Sequence, residues 1–225
     1  MKFLAVATST YRYQTSGYRT GLWLGEYTHF YDVLTEAGHT VDLASVQGGV
    51  VPLDPVSLMP PVIGMGDTDK RYEDGEFMKR LDNTPALADV DKDSYDGIYL
   101  TGGHGTMYDF TSETVREAVA SFADAGKIVS AVCHGPAGLL NVTLADGSKL
   151  LDGKKVTGFT WAEEKVARRA DNVPFSLEDE LGAQAGEYSK GAVPMTEHVV
   201  VDGLLVTGQN PMSAAGVGKA VLELI

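Results

Sequence analysis

The chain has 225 residues, 44% of them hydrophobic, and its 18 basic against 31 acidic side chains give a formal charge of −13. That length and apolar content suit one domain over residues 1–225 with a single well-buried core, and the charge argues against a sequence-independent grip on nucleic acid or anionic lipid. No stretch approaches the about twenty apolar residues of a membrane span, and one cysteine permits no internal disulfide, so a soluble, cytoplasmic protein of a reducing compartment is expected.

Short apolar runs alternate with helix-period stretches, the pattern of βαβ units around a parallel sheet covered on both faces. The N-terminal run Met1 to Ala7 is too short for a signal peptide and has no small-residue cleavage pattern after it, so it predicts a first buried strand over Phe3–Ala7. Residues 8 to 21 are polar, aromatic and glycine-bearing, and they leave the carboxyl end of that strand, where open α/β sheets place ligands. Trp23, Tyr27, Phe30, Leu34 and Ala37 recur at spacings of three and four, which predicts a helix over Leu22–Ala37 closed by Gly38. A strand follows at Thr40–Ala44. Residues 46 to 70 hold four of the nine prolines and four glycines, which predicts an irregular crossover.

Beyond it, helices are expected at Arg71–Leu81, Ser112–Ala125, Pro136–Leu140, Glu163–Ala170, Phe175–Gly182 and Pro211–Leu224. Strands are expected at Gly97–Thr101, Lys127–Val132, Lys155–Thr157, His198–Val201 and Leu204–Thr207. The last two flank Asp202-Gly203, a strong short hairpin signal.

Cys133 lies in Ile128-Val129-Ser130-Ala131-Val132-Cys133-His134-Gly135-Pro136, where β-branched residues run into small ones and a proline suited to a first helical turn. This is the cysteine form of a nucleophile elbow, whose central residue is strained and needs small neighbours, here Ala131 and Gly135. The amides of the following helix would favour thiolate over thiol; the bland alternative is a buried cysteine acting as a small hydrophobe.

Gly102-Gly103 ends another strand in Tyr99-Leu100-Thr101-Gly102-Gly103-His104, where main-chain amides can approach a ligand closely or the glycines can simply turn the chain. The N–H groups of Gly103 and His134 are the candidate oxyanion donors. His104 could contact substrate or bind a loop. Glu26 heads the inward stripe of the first helix, so it is either a desolvated acid able to hydrogen-bond a thiolate or a first-turn acid facing the helix dipole.

In Thr160-Trp161-Ala162-Glu163-Glu164, Thr160 and Glu163 match a capping box. Glu164 is left either as a solvent-facing glutamate or as a carboxylate that orients the imidazole of His134. His29, His39 and His198 are isolated, and no set of ligands has zinc spacing, so no metal is expected. Neither a GxGxxG after a strand nor a P-loop occurs, so no nucleotide cofactor is indicated.

Several segments in order resemble the ThiJ/PfpI family of the class I glutamine amidotransferase-like superfamily, and within it the glutathione-independent glyoxalases (glyoxalase III) and heat-shock chaperones. They are Gly21-Leu22-Trp23-Leu24-Gly25-Glu26, the Ala37–Ser45 run, Gly102-Gly103-His104-Gly105-Thr106, Ala131-Val132-Cys133-His134-Gly135-Pro136, Val156-Thr157-Gly158-Phe159-Thr160 and Thr207-Gly208-Gln209-Asn210-Pro211. The resemblance implies a flavodoxin-like α/β sandwich with a mostly parallel central sheet, helices on both faces and a C-terminal β-hairpin, usually as a homodimer. It implies Cys133 as nucleophile, His134 as its partner, Glu26 as buried acid and Glu164 as third member of a triad, with Gly102, Gly103 and His104 binding the oxyanion or substrate.

The activity implied is a cofactor-independent glyoxalase III-type lyase (a D-lactate dehydratase) acting on methylglyoxal or a similar 2-oxoaldehyde, with protein deglycation left open. Rival expectations are a holdase that binds unfolded clients, a cysteine redox sensor, and a peptidase or amidase.

Overall fold

The computed structural model describes residues 1–225. Six strands form the main sheet: β1 (Lys2–Ala7), β2 (Thr40–Ser45), β3 (Gly97–Leu100), β4 (Ile128–Val132), β7 (Val199–Asp202) and β8 (Leu205–Gly208). Their order is β2-β1-β3-β4-β8-β7, parallel except for the antiparallel pair β7–β8. The expected mostly parallel sheet with a terminal hairpin is therefore observed. β1, β3 and β4 are mostly apolar and buried along nearly their whole length, as a sheet covered on both faces requires.

Helix α1 (Leu24–Glu36) follows β1 and leads to the left edge, whereas α5 (Glu113–Asp124) follows β3 and leads to the right. Right-handed crossovers in opposite directions put these two helices on opposite faces. α8 (Ala214–Leu222) returns to pack beside α1, where Gly218 lies against Val33 and Leu34. One apolar cluster of 48 buried residues joins the sheet to both layers.

The strand order reverses between β1 and β3, so the chain ends leaving their carboxyl edges splay apart and open a crevice there. Cys133 sits at that edge. The segments that reach the crevice come from after β1, after β3, after β4 and from α6 (Trp161–Ala167), the helix that follows β5 (Lys155–Val156). β5 pairs in parallel with β6 (Glu187–Tyr188) in a second, two-stranded sheet.

Local differences from the sequence expectations have physical causes. The helix expected over Arg71–Leu81 is divided into α2 (Thr68–Glu73), α3 (Gly75–Met78) and a 3₁₀ turn, because Asp74 adopts an extended backbone and caps the N–H groups of Glu76 and Phe77. The helix expected over Pro136–Leu140 is a five-residue 3₁₀ helix, Gly135–Leu139. α6 starts two residues before Glu163 and stops at Ala167, because Arg168 turns left-handed with φ +57°.

The hairpin turn is Gly203-Leu204, one residue beyond the expected Asp202-Gly203, since Asp202 pairs with Leu205. Two short elements, α4 (Thr106–Asp109) and β6, are too brief to show a period in sequence, and α7 (Leu177–Gln184) begins two residues late at its Ser176 cap. The 46–70 crossover is irregular as expected, built from 3₁₀ turns at Pro55–Leu58 and Val62–Asp67.

Candidate active site

Cys133 follows β4 with φ +58°, a left-handed conformation that costs a non-glycine residue about 1–3 kcal/mol. The fold enforces it. The Cys133 N–H donates to the Gly208 carbonyl and its own carbonyl accepts from the Phe159 N–H, so main-chain bonds to two other segments hold the turn. A Cβ at Gly135 would sit 2.8 Å from the Thr101 carbonyl oxygen, so the small residue expected there is sterically required. The strain read from the elbow sequence is present in the backbone.

From the sulfur a line of contacts runs outward. Cys133 Sγ lies 3.2 Å from His134 Nδ1, and His134 Nε2 lies 2.6 Å from Glu164 Oε1. The second oxygen of the same carboxylate is 3.0 Å from His104 Nε2. All four residues are buried.

The two imidazoles share one carboxylate, and this fixes their protons. Burial works against ionisation of Glu164, but His134 and His104 together outweigh it and hold the carboxyl well below the usual carboxylate range. A carboxylate accepts, so each imidazole donates through Nε2–H. His134 is then left with an Nδ1 lone pair facing the thiol. Burial first, and His104 next, lower the pKa of His134, so the ring rests neutral and ready to take a proton.

Glu163, its neighbour, has other work. Its Oε2 accepts from the Thr160 N–H at 3.0 Å and closes the capping box, while Oε1 accepts from the Met195 N–H and from the side-chain amides of Gln209 and Asn210 at 2.8–2.9 Å. It ties the start of α6 to the turn after β8. The capping box that the sequence assigns to Glu163 is formed, and the structure brings Glu164, not Glu163, to His134.

Glu26 is on the other side of the sulfur, fully buried in the first turn of α1. Its carboxyl packs against Gly102 in the space a side chain there would need. Neither carboxyl oxygen makes a hydrogen bond of full geometry, and the nearest polar groups are the Cys133 thiol and the Gly102 N–H. Burial therefore dominates and pushes Glu26 well above its ordinary 4.5. The dipole-facing alternative does not describe this residue, because no first-turn N–H reaches its carboxyl.

The Cys133 thiol is also raised well above its ordinary 9.0, first by burial and then by any charge on Glu26. This corrects the expectation of a resting thiolate stabilised by the next helix. That helix is a five-residue 3₁₀ segment with little dipole to offer, and the favourable influence on the sulfur is the Gly103 N–H.

Gly102 and Gly103 carry the chain past the sulfur. Gly103 has φ +101°, and a side chain on it would collide with the main chain of Gly21 and Trp23, so only glycine fits. The N–H groups of Gly103 and His134 donate to no main-chain carbonyl, and that of Gly103 faces the sulfur. Both residues line a cavity of about 290 Å³ that contains Cys133 and His104. Trp23, Val62, Met65, Phe159, Met195 and Met212 supply most of its remaining wall, and no lysine, arginine or acidic residue does.

His104 also lines a neighbouring space of about 200 Å³ with Tyr13, Asp54 and Arg169. The loop after β1 thus contributes through Tyr13, whose ring lies 5.5 Å from that of His104. Its base is pinned by Asp109, which accepts from Thr8 Oγ1 and from the Ser9 and Thr10 N–H groups.

Sequence reasoning missed the tie from His104 to Glu164, the Phe159 ring 4.4 Å from that of His134, and the reach of the 46–70 crossover into the cavity. Only Phe159 had a signal, its place directly before the capping box. His104, His134 and Glu164 each place one donor atom within 4.8 Å of the others. These atoms are spent on each other as hydrogen bonds, and a cation would have to displace both.

The model of the DJ-1/PfpI family matches residues 21–224, and the chain belongs to that family. Among its relatives, it is 29% identical to Glyoxalase 3 of Candida albicans over 97% of this chain and 95% of that protein. It is 31% identical to the glutathione-independent glyoxalase HSP31 of Saccharomyces cerevisiae over 95% and 93%. Among solved structures, the 24 kDa rapid encystment protein of Francisella tularensis superposes with a TM-score of 0.92 at 35% identity, covering 99% of this chain and 98% of that one. Glyoxalase III of Candida albicans gives 0.90 at 30% identity, covering 100% and 97%.

Proposed function

We propose that this protein is a glutathione-independent glyoxalase that converts methylglyoxal-type 2-oxoaldehydes to 2-hydroxy acids through a hemithioacetal on Cys133. The observation that carries this reading is the alignment of thiol, neutral imidazole and carboxylate beside two N–H groups with no main-chain acceptor in an apolar cavity. The names of the relatives over nearly the full length support the same class.

The chemistry follows from the protonation states. As the sulfur attacks the aldehyde carbon, His134 Nδ1 takes the thiol proton, and the buried thiol need not ionise beforehand. The Gly103 and His134 N–H groups receive the developing oxyanion, and His134 returns the proton to it. Glu164 stabilises the transient imidazolium, and neutral Glu26 offers a hydrogen bond to sulfur from behind. Moving one hydrogen between the two substrate carbons through an enediol then gives a thioester, which water cleaves to the 2-hydroxy acid and free thiol.

Carbon one is oxidised as carbon two is reduced, so the reaction needs no added electron carrier. A wall without cations suits a small neutral dicarbonyl better than an anionic thiol adduct. The test is a glutathione-free assay with methylglyoxal that follows aldehyde loss and lactate formation. Cys133→Ala should abolish turnover, and near-wild-type activity in that variant would end the proposal.

We take the setting to be a cytoplasmic, reducing compartment that keeps the single thiol reduced. Homodimerisation and binding of unfolded clients are separate parts of the reading. Sedimentation tests the first, and suppression of client aggregation by the Cys133→Ala protein tests the second.

A further inference from the structure

We propose that His104 is a further catalytic residue, the base that carries hydrogen between the two substrate carbons. This deepens the glyoxalase reading and rests on it. Three groups near the sulfur could do this task, and the geometry divides them. Glu26 is sealed behind Cys133 and Gly102 and is absent from the cavity wall. His134 has both nitrogens engaged, Nδ1 with the sulfur and Nε2 with Glu164.

His104 has one nitrogen to spare. Its Nε2–H is held by Glu164, while Nδ1 makes no hydrogen bond within the protein and is not among the sealed polar atoms. The ring lines the same cavity as Cys133, its centroid 4.2 Å from that of His134, and Tyr13 and Phe159 pack against its other sides. An imidazole that donates one N–H to a carboxylate and keeps its second nitrogen unpartnered, on a residue that lines the cavity of the nucleophile, is placed to act as a general base.

In the step assigned to it, the carbon-one C–H bond of the hemithioacetal breaks and its proton goes to Nδ1. The electron pair becomes the carbon–carbon double bond as the carbon-two carbonyl pair moves onto oxygen. Nδ1 then returns the proton to carbon two, the hydroxyl proton on carbon one passes to the carbon-two oxygen, and the carbon-one carbonyl closes. The product is a 2-hydroxy thioester. Glu164 steadies His104 while it carries the proton, so one carboxylate serves thiol activation and carbon chemistry in turn.

The test uses His104→Asn and His104→Gln with two readouts: steady-state turnover of methylglyoxal protonated or deuterated at the aldehyde carbon, and the alkylation rate of Cys133 by iodoacetamide. Turnover should fall about 10²–10⁴-fold and show a larger deuterium effect than the wild type, while alkylation stays within about twofold, which also shows that the site has folded. If alkylation falls in step with turnover, or turnover stays within about threefold of wild type, His104 only positions Glu164 or does nothing and the assignment fails. A wild-type protein that makes no 2-hydroxy acid fails earlier and removes the glyoxalase reading together with this one.

Discussion

Two buried glutamates serve the Cys133–His134 pair, Glu26 at the sulfur and Glu164 at the imidazole, and their surroundings leave one neutral and the other ionised. Glu164, in front, meets two imidazole N–H groups and is held ionised although it is buried. Glu26, behind, meets only a thiol and one peptide N–H, and burial keeps its proton on. Identical side chains thus become an acceptor for His134 and a donor toward Cys133. Partner supply decides the sign, because desolvation acts on both in the same direction.

Removing the front charge should have the larger effect. Glu164→Gln replaces an acceptor for two donors by an amide that cannot accept from both at full strength, so the tautomer of His134 is no longer fixed. Turnover should fall about 10²–10⁴-fold, and alkylation of Cys133 should slow with it. In the wild type the acid limb of kcat/KM should lie below pH 6.5, because burial and His104 lower the pKa of His134 and the base must be neutral to act. A pH–rate profile with its acid limb above that value would contradict the assigned state.

Glu26 should reveal itself in stability as well as rate. Its folded pKa is raised, so the native state binds a proton more tightly than the unfolded chain, and stability is lost as pH rises from 4.5 toward the folded value. Glu26→Gln removes that dependence. Its melting temperature should match the wild type near about pH 5 and exceed it near about pH 9, while turnover drops because an amide is a weaker donor to sulfur. Parallel pH–melting curves for the two proteins would show Glu26 to be ionised in the fold.

The asymmetry between these acids was only partly legible in the sequence. The stripe of α1 placed Glu26 inward, and the capping box released Glu164 from the duty Glu163 performs, because both rest on short-range periodicity. The elbow at Cys133 was legible for the same reason: small residues at fixed offsets report a local backbone. What could not be read was the convergence of β3 and α6 that puts His104 and His134 on one carboxylate, since 60 and 30 residues separate them from Glu164. The thiol's protonation was misread because burial from every side outweighs a helix dipole that sequence suggested and the short 3₁₀ segment does not supply. Strand and helix ends shifted by a residue or two where a side-chain cap, as at Asp74 and Ser176, won over the apolar period.

A smaller perturbation tests how tightly the rear side is packed. At Gly102 a Cβ would lie 2.8 Å from the Val132 carbonyl oxygen and 2.9 Å from Cys133 Cβ, and would also run into the Glu26 carboxyl. Gly102→Ala should cost about 1–3 kcal/mol and displace Glu26 from the sulfur, with a loss of turnover smaller than that of Glu164→Gln. Denaturant melts and kinetics on the same variant check both. An unchanged midpoint would mean that the acid moves freely and is not wedged against the sulfur.

The smallest change is the most selective for the front. Thr160→Ala removes the hydroxyl that accepts from the Glu163 N–H, at a cost of about 1 kcal/mol. α6 is only seven residues long, and its first turn holds both glutamates. Fraying there loosens Glu164 without touching Glu26, so the variant should lose a few-fold in kcat and keep the wild-type pH dependence of its melting temperature. Thr160→Ser, which keeps the cap, should recover both rate and stability. Failure of serine to recover them would shift the explanation from the cap to the lost methyl group, and α6 would then be held by packing alone.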